Sequence, residues 1–249
     1  MNIKGNTVLI TGGATGIGLA LAEAFIKEGN EVLICGRTKS KLEEAKTKLP
    51  KLHTIACDIA GEEGRKYLFE RVTANYGKIN ILVNNAGIQK TIDFTKGPAR
   101  LLEGESEVDI NLKAPIHLAA LFIPLLLEKK ESAIVNVSSQ LAFAPLAFIP
   151  VYCATKAALH SFTLSLRHQL KGTPVKVFEL LPPRVATDLG KGSGRDKGNM
   201  PAAIPVGQVV ETTMDALQND KYEIFVGTSN YLIKLAKSDP DTLLQAMNG

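Results

Sequence analysis

The chain has 249 residues, of which 45% are apolar and 22% are charged, which is enough to form a substantial buried core. Its 29 basic and 25 acidic residues give a formal net charge of +4, and no stripe of Lys and Arg marks a nucleic-acid surface. The four histidines and three cysteines show no metal-ligand spacing. These features argue against a nucleic-acid partner, a metal centre and a disulfide framework.

The opening segment MNIKGNTVLITGG contains only a short apolar run, which does not fit a signal peptide or an anchor. The longest apolar stretch, about 118–127, is interrupted by Pro124 and is shorter than the roughly 20 residues that cross a bilayer. We therefore expect a cytoplasmic protein without membrane insertion.

Seven short runs rich in apolar and β-branched residues predict strands, at 7–11, 31–36, 52–58, 79–87, 132–139, 175–181 and 222–227. Segments with helical periodicity separate these runs, as in GLALAEAFIKEG. Such alternation is typical of βαβ units, so we predict an α/β fold with a doubly wound parallel sheet of about seven strands and helices on both faces. No Pro-, Ser- or Gly-rich linker divides the chain, and residues 1–249 are expected to form a single domain.

The first predicted strand leads through TGGATGIG, residues 11–18, directly into a predicted helix. Gly12, Gly16 and Gly18 permit a tight turn, and without Cβ atoms they let a pyrophosphate approach the backbone at the positive end of that helix. The spacing matches neither G-x-G-x-x-G nor an NTPase loop. A glycine-rich turn that binds no ligand remains an alternative, since turns favour glycine.

The second predicted strand ends in CGRT, where a dinucleotide fold specific for NAD would place a carboxylate. Gly36 and Arg37 occupy this place, and a guanidinium pairs with a phosphate through parallel donors. We therefore predict that the cofactor is NADP(H) rather than NAD(H). The alternative is a solvated arginine at the start of the next helix.

Tyr152 and Lys156 lie four residues apart in VYCATKAAL, so a helix would place both on one face. A neighbouring ammonium lowers the pKa of a phenol, which lets Tyr152 act as general acid and base toward a carbonyl or alcohol. The same pair is common on surface helices, so the interpretation depends on its neighbours. Ser138 and Ser139 end a predicted strand. Asn111 lies within a predicted helical segment, although asparagine is a poor helix former. His160 and His168 follow on the tyrosine helix and are expected to be ordinary surface or interface histidines.

Four motifs, TGGATGIG, NNAG (84–87), VNVSS (135–139) and YCATK (152–156), occur here in the order and at the intervals that resemble the short-chain dehydrogenase/reductase family in its compact form of about 250 residues. The resemblance extends from Thr7 to about Val226 and implies a Rossmann-like fold. The stretch VYCATKAALHSF also resembles reductases encoded beside lipoteichoic-acid D-alanylation genes of Gram-positive bacteria, although such a neighbourhood establishes no reaction. The family resemblance further implies a homodimer or homotetramer, with SFTLSLRHQL and HLAALFIPLLLE as candidate contact helices.

The family resemblance implies a role for each matching residue. Tyr152 is implied to be the proton donor and acceptor, and Lys156 to lower its pKa and hold the nicotinamide ribose. Ser139, thirteen residues before the tyrosine, is implied to orient the substrate oxygen, and Asn111 to hold a water of a proton relay. The implied cofactor contacts are the diphosphate turn at Gly12, Gly16, Ile17 and Gly18, the adenine contact Asp58, and the adenosine-ribose side at Asn85, Ala86 and Gly87. Asn84 is expected to brace the central strands instead.

One segment departs from the family pattern. After the sixth strand the family usually has Pro-Gly and then Thr, whereas this chain reads LLPPRVATD, so that Pro183 fixes φ and removes an N–H. Val185 and Thr187 remain candidate contacts to the carboxamide and the diphosphate. Residues 188–205 are predicted to form a mobile substrate loop. The apolar segment 140–151 either lines the substrate pocket or belongs to the core.

Together these features predict an NADPH-dependent reductase or dehydrogenase that transfers a hydride between nicotinamide and a carbonyl or alcohol substrate, with Tyr152 as general acid and base. Two alternatives remain. A non-catalytic NADPH-binding sensor or scaffold would not need a tuned phenol. An NADP-using epimerase or dehydratase would have little room for a substrate domain after residue 188.

Overall fold

Seven parallel strands form one sheet in the computed structural model, which describes residues 1–189 and 202–248. In chain order the strands are β1 (Thr7–Thr11), β2 (Glu31–Gly36), β3 (His53–Ala56), β4 (Ile81–Asn84), β5 (Ser132–Val137), β6 (Val175–Leu181) and β7 (Glu223–Phe225). Their order across the sheet is β3-β2-β1-β4-β5-β6-β7, so the direction of winding reverses between β1 and β4. The predicted doubly wound parallel sheet is confirmed.

The strands are apolar along their length because helices cover both faces of the sheet. Every residue of β1, β4 and β5 is buried. The bounds predicted for β1, β2 and β6 agree with the structure, whereas the other four strands are shorter than predicted. Polar residues at the C-terminal ends of these predicted runs, such as Asp58, Asn85 and Ser139, lie after the strands, in the loops at the carboxyl edge of the sheet.

The helices are α1 (Gly16–Lys27), α2 (Lys39–Lys48), α3 (Glu62–Asn75), α4 (Ala99–Leu102), α5 (Ala114–Leu127), α6 (Pro150–Gln169), α7 (Val206–Gln218), α8 (Ser229–Ser238) and α9 (Pro240–Asn248). One core cluster joins α1, α2 and α7 to the sheet face that carries Val8 and Ile10. A second cluster joins α3, α5 and α6 to the opposite face, which carries Leu9 and Leu82. The side chains of β1 thus alternate between the two cores.

Helix α5 is longer and less interrupted than its sequence suggests. A π-helical turn, Asp109–Lys113, continues into α5, and the resulting apolar helix of 19 residues has the length and composition of a membrane span. The expected break at Pro124 is wrong. Pro124 has no N–H group to donate to the carbonyl oxygen of Ala120, but both residues are on the exposed side of the helix, so the helix continues through the proline. Its opposite side, including Leu118 and Phe122, is buried in the second core cluster.

Candidate active site

A cavity of about 770 Å³ opens at the carboxyl edge of the sheet, where the winding reverses. Most of the residues singled out in the sequence line it: Gly12, Gly16, Ile17, Arg37, Asp58, Asn85, Ala86, Gly87, Ser139, Tyr152, Lys156, Val185 and Thr187. Gly18 and Asn111 are not among the lining residues and lie behind them. Residues far apart in the sequence therefore share one cleft because the carboxyl ends of parallel strands share one edge.

The glycine turn between β1 and α1 has no space for side chains. Gly12 has φ +62°, and a Cβ atom there would lie 2.8 Å from the Cα atom of Ala86. A Cβ atom on Gly18 would lie 2.6 Å from the Gly12 carbonyl oxygen. Gly13, which the sequence analysis did not single out, is equally constrained, because its Cβ atom would lie 2.3 Å from Cγ2 of Ile34. The turn exposes bare backbone at the N-terminus of α1, which fits a dinucleotide diphosphate.

Thr11 and Asn85 hold this turn against the end of β4. The Thr11 hydroxyl accepts hydrogen bonds from the backbone N–H groups of Asn85 and Ala86, both at 3.0 Å. In return, Asn85 Nδ2 donates to the carbonyl oxygens of Thr11 at 2.9 Å and Gly12 at 3.1 Å. The Asn85 amide nitrogen thus positions the glycine turn, and the sequence analysis had not identified Thr11 as its partner.

Asn84, one residue earlier, has a bracing arrangement of its own. Its Nδ2 donates to Oδ1 of Asn136 on β5 at 2.8 Å, and Nδ2 of Asn136 donates to the Thr163 hydroxyl on α6 at 2.9 Å. These buried hydrogen bonds tie β4, β5 and α6 together beneath the cleft. Helix α6, which carries Tyr152 and Lys156, is therefore fixed to the strands that end at the cavity.

The end of β2 presents Arg37 to the cavity, and the guanidinium forms an ion pair with Glu105, which also lines it. Both side chains are about half exposed. Asp58, after β3, accepts a hydrogen bond from the backbone N–H of Ala60 at 2.9 Å. Glu105 lies in the segment after α4, a region to which the sequence analysis assigned no function. A cofactor phosphate at Arg37 has to compete with this carboxylate.

Tyr152 and Lys156 lie in the first turns of α6, which begins at Pro150, and both side chains are buried. The Lys156 ammonium donates to the carbonyl oxygen of Val137 at 2.7 Å and lies 5.6 Å from the centroid of the Tyr152 ring. Burial lowers the pKa of Lys156 to about 8, while the negative charge of Glu179 acts in the opposite direction. The lysine is thus anchored at the end of β5 and directed to the tyrosine.

The two serines after β5 have different partners. The Ser138 hydroxyl donates to the Lys156 carbonyl oxygen at 3.3 Å, which links the end of β5 to α6. The Ser139 hydroxyl accepts from the backbone N–H of Leu141 at 3.1 Å, at the start of a 3-10 turn. This contact uses Ser139 Oγ as an acceptor, so its hydrogen can point to an oxygen atom in the cleft.

Asn111 is fully buried in the π-helical turn and joins two segments of the site. Its amide accepts from the Ile88 N–H at 2.9 Å and donates to the Ile88 carbonyl at 2.9 Å. Nδ2 also donates to the Thr155 hydroxyl on α6 at 3.2 Å. Gly87 lies beside both side chains, since a Cβ atom there would lie 3.4 Å from Asn111 Oδ1 and 3.7 Å from Lys156 Nζ, which are ordinary contact distances.

The end of the cleft that carries Tyr152, named the substrate end after the role expected for it, is formed by the segment 140–151 and the last helix. Leu141, Leu146 and Ile149 form a small buried cluster with Tyr152, against which Met247 of α9 packs. Leu141 and Met247 also line the cavity, so the segment serves both as core and as pocket wall. Asn248 fastens α9 here, since Oδ1 accepts from the Ala147 N–H at 2.6 Å and Nδ2 donates to the Pro145 carbonyl at 3.1 Å.

Two glutamine side chains at the same cavity retain unused hydrogen-bonding capacity. Both amide atoms of Gln89 and Oε1 of Gln140 are buried without a partner in the described part of the chain. Both residues line the cleft. Because buried polar atoms are normally paired, these amides can hydrogen-bond a polar group that enters the cleft.

The segment after β6 closes the cofactor end. The Gln140 N–H donates to the Pro182 carbonyl at 3.1 Å, and Val185 forms a parallel β-bridge with Ile204. The predicted substrate loop 188–205 is described only at its two ends, and residues 190–201 lie outside the described residues. Thr187 approaches the glycine turn, where a Cβ atom on Gly16 would lie 3.2 Å from its Cγ2.

A model of the short chain dehydrogenase family matches residues 6–198. The chain belongs to this family. It is 48% identical over 248 residues to the uncharacterized oxidoreductase DltE of Bacillus subtilis strain 168, with 100% of this chain and 98% of that one covered. The family predicted from the four motifs is thereby confirmed, and the chain is an oxidoreductase of the short-chain dehydrogenase family.

Two solved structures show how widely the fold of this dehydrogenase is shared. A short chain dehydrogenase from Burkholderia cenocepacia J2315, in complex with NADP, has a TM-score of 0.81 and 25% identity, with 99% of each chain covered. A short chain dehydrogenase/reductase from Burkholderia phymatum, in complex with NAD, has a TM-score of 0.85 and 19% identity, with 97% of this chain and 96% of that one covered. The first was solved with NADP and the second with NAD.

Proposed function

We propose that this dehydrogenase uses NADP(H) to reduce a carbonyl compound or oxidise the corresponding alcohol. The observation that supports the proposal is the convergence of Ser139, Tyr152 and Lys156 with the bare glycine turn in one cavity. A protein that only binds a dinucleotide needs the turn but not a buried phenol beside a buried ammonium.

Each residue of the cleft has a separate role in the proposed reaction. The backbone around Gly12 and Gly16 holds the diphosphate, and the Lys156 ammonium holds the ribose next to the nicotinamide and stabilises negative charge on Tyr152. The Tyr152 phenol donates a proton to the carbonyl oxygen and takes it back in the reverse direction. Ser139 donates a hydrogen bond to the same oxygen. When bound in this cleft, a nicotinamide cofactor would provide the hydride chemistry, which the chain's own residues orient.

We assign the preference for NADP(H) to Arg37, whose guanidinium follows a glycine at the place where NAD-specific relatives of this fold carry a carboxylate. It lines the cavity on the side of Asp58. One solved Burkholderia relative was crystallised with NADP and another with NAD, so the proposed preference depends on Arg37.

Replacement of Tyr152 by Phe tests the proposed reaction. The variant keeps the ring and its packing but removes the proton donor, so we expect turnover to fall by about a thousandfold with NADPH affinity unchanged. The measurement is NADPH oxidation across a panel of ketones, aldehydes and quinones, with the fluorescence of bound NADPH as the binding control. Near-normal kcat in the variant would disprove the role of Tyr152, and bound NADPH without turnover of any carbonyl by the native chain would favour the sensor or scaffold.

We further propose a cytoplasmic homodimer or homotetramer that acts on a small-molecule substrate. The exposed Leu127 of α5 and Leu164 of α6 lie on the two helices that were expected to make subunit contacts. Light scattering after size-exclusion chromatography tests this assembly, and a monomer at micromolar concentration contradicts it.

A further inference from the structure

A carboxylate is buried directly behind the catalytic helix. Glu179, in the middle of β6, is fully buried, and its Oε2 lies 2.8 Å from Nδ1 of His160 on α6. Its Oε1 has no hydrogen-bond partner among residues 1–189 and 202–248. A buried carboxylate is unfavourable unless other charges or hydrogen bonds compensate it, so this position calls for a physical explanation.

The position of Glu179 follows from the register of the sheet. Asn84, Asn136, Glu179 and Glu223 are in register across β4, β5, β6 and β7. The two asparagines are joined to each other and to α6 by hydrogen bonds, and Glu223 at the edge is exposed. Glu179 is thus the buried acidic member of a polar row that runs beneath the cleft.

The helix above this row presents three functional groups at a spacing of four residues. Tyr152, Lys156 and His160 follow one another at this interval on α6 and therefore lie along one face of the helix. The first two line the cavity, and the third contacts Glu179. The sequence predicts an ordinary surface or interface histidine at His160, and in the structure its side chain is 18% exposed and contacts Glu179.

Two opposing effects act on the Lys156 ammonium. Its burial lowers its pKa, and the charge of Glu179 raises it, with a resulting value of about 8. The nearby Tyr152 belongs to the same helix, Asn111 from the π-helical turn is neutral, and β5 contributes the Val137 carbonyl. Around His160, the ring of Phe143 packs at 4.5 Å, and Lys237 of α8 lies 5.7 Å from that ring.

We propose that Glu179, held in place by His160, is a positioning residue that keeps Lys156 protonated at neutral pH. The two residues act through the lysine and do not touch the substrate. Without the carboxylate, burial acts unopposed, and the ammonium loses its proton at a lower pH. The consequence for catalysis rests on the proposed function, since it requires that protonated Lys156 supports Tyr152.

Replacement of Glu179 by Gln removes the charge and keeps the shape and an acceptor for His160. The matched control is Glu223→Gln, which removes a carboxylate from the exposed end of the same row. Lysine labelled with 13C at Cε reports the pKa of Lys156 by NMR, with the resonance assigned from Lys156→Met. We expect Glu179→Gln to lower that pKa by about one unit or more and Glu223→Gln to leave it unchanged.

The pH dependence of cofactor binding and of catalysis is expected to shift with the pKa of Lys156. The alkaline decline of NADPH affinity, and of turnover once a substrate is found, moves to lower pH by the same amount in Glu179→Gln. An unaltered Lys156 titration in a folded Glu179→Gln variant overturns the proposal, even if the melting temperature falls, because a purely structural role lowers stability without moving this titration.

A second variant covers the case in which Glu179→Gln does not fold. His160→Leu removes the hydrogen-bonding partner that fixes the Glu179 carboxylate, so the carboxylate can turn away from Lys156, and the pKa of Lys156 is expected to fall in the same direction. An unchanged titration in this variant also contradicts the proposal. The NMR titration needs no substrate, so it separates failure of this inference from failure of the proposed reaction, which Tyr152→Phe reports.

Discussion

The two ends of the cleft are built in different ways. At the cofactor end, bare backbone between β1 and α1 is fixed by side chains of Thr11 and Asn85 within one small region. At the substrate end, the wall combines the segment 140–151, which includes Gln140, with the last helix. The first end depends on close approach of the backbone, and the second on side chains that come from separate elements. Among the variants that change binding rather than the proposed chemical step, a single substitution should therefore have its largest effect at the cofactor end.

The largest effect is expected from Gly12→Ala. The added Cβ atom would lie 2.8 Å from the Ala86 backbone in a residue with φ +62°, so the turn has to shift away from the end of β4. We expect NADPH affinity to fall by at least about a hundredfold, since the diphosphate loses its aligned N–H donors. Isothermal titration calorimetry measures the loss.

The control for this variant is Gly5→Ala. Gly5 also has a left-handed conformation, with φ +70°, but an added Cβ atom there meets nothing within 4 Å. Both variants share the backbone strain of alanine at positive φ, and only Gly12→Ala has the contact with Ala86. Equal NADPH affinities in the two variants would show that the glycine turn does not hold the cofactor.

A smaller effect is expected at the far edge of the cofactor end, where Arg37 is paired with Glu105. Arg37→Ala should weaken NADPH binding by about tenfold and leave NADH binding nearly unchanged, because only NADPH carries the 2'-phosphate and the exposed site is screened by solvent. Glu105→Gln should strengthen NADPH binding a few-fold by removing the competing carboxylate. An unchanged ratio of NADPH to NADH affinity in Arg37→Ala would remove the basis for the predicted preference.

The sequence predicted the sheet, and it singled out most of the glycine-turn residues that line the cavity, because their signals are local. An apolar β-branched run such as Thr7–Thr11, followed by glycines and a helical period, specifies strand, turn and helix from adjacent residues. The four-residue spacing of Tyr152 and Lys156 on a helix is another local signal.

Other features could not be read from the sequence because they depend on distant contacts. Nothing near Glu105 indicates that it meets Arg37, and nothing near Met247 indicates that the last helix reaches the cavity. The pairing of Glu179 with His160 depends on the register of β6 beneath α6. A detectable signal was the repeat of Tyr152, Lys156 and His160 at four-residue intervals, which places the histidine on the same face of α6 as the other two.

The smallest effect is expected at the substrate end, from Asn248→Ala. This exposed residue ties α9 to the backbone at Pro145 and Ala147, and Met247 beside it lines the cavity. Loss of these hydrogen bonds loosens the wall without touching the glycine turn, so KM for the carbonyl substrate should rise about threefold to fivefold with NADPH affinity unchanged.

Asn219→Ala is the control, because Asn219 makes the same bond to the carbonyl four residues earlier, on α7, and does not line the cavity. A change in NADPH affinity in Asn248→Ala would show that the two ends of the cleft are coupled, whereas a selective change in KM assigns α9 to substrate binding.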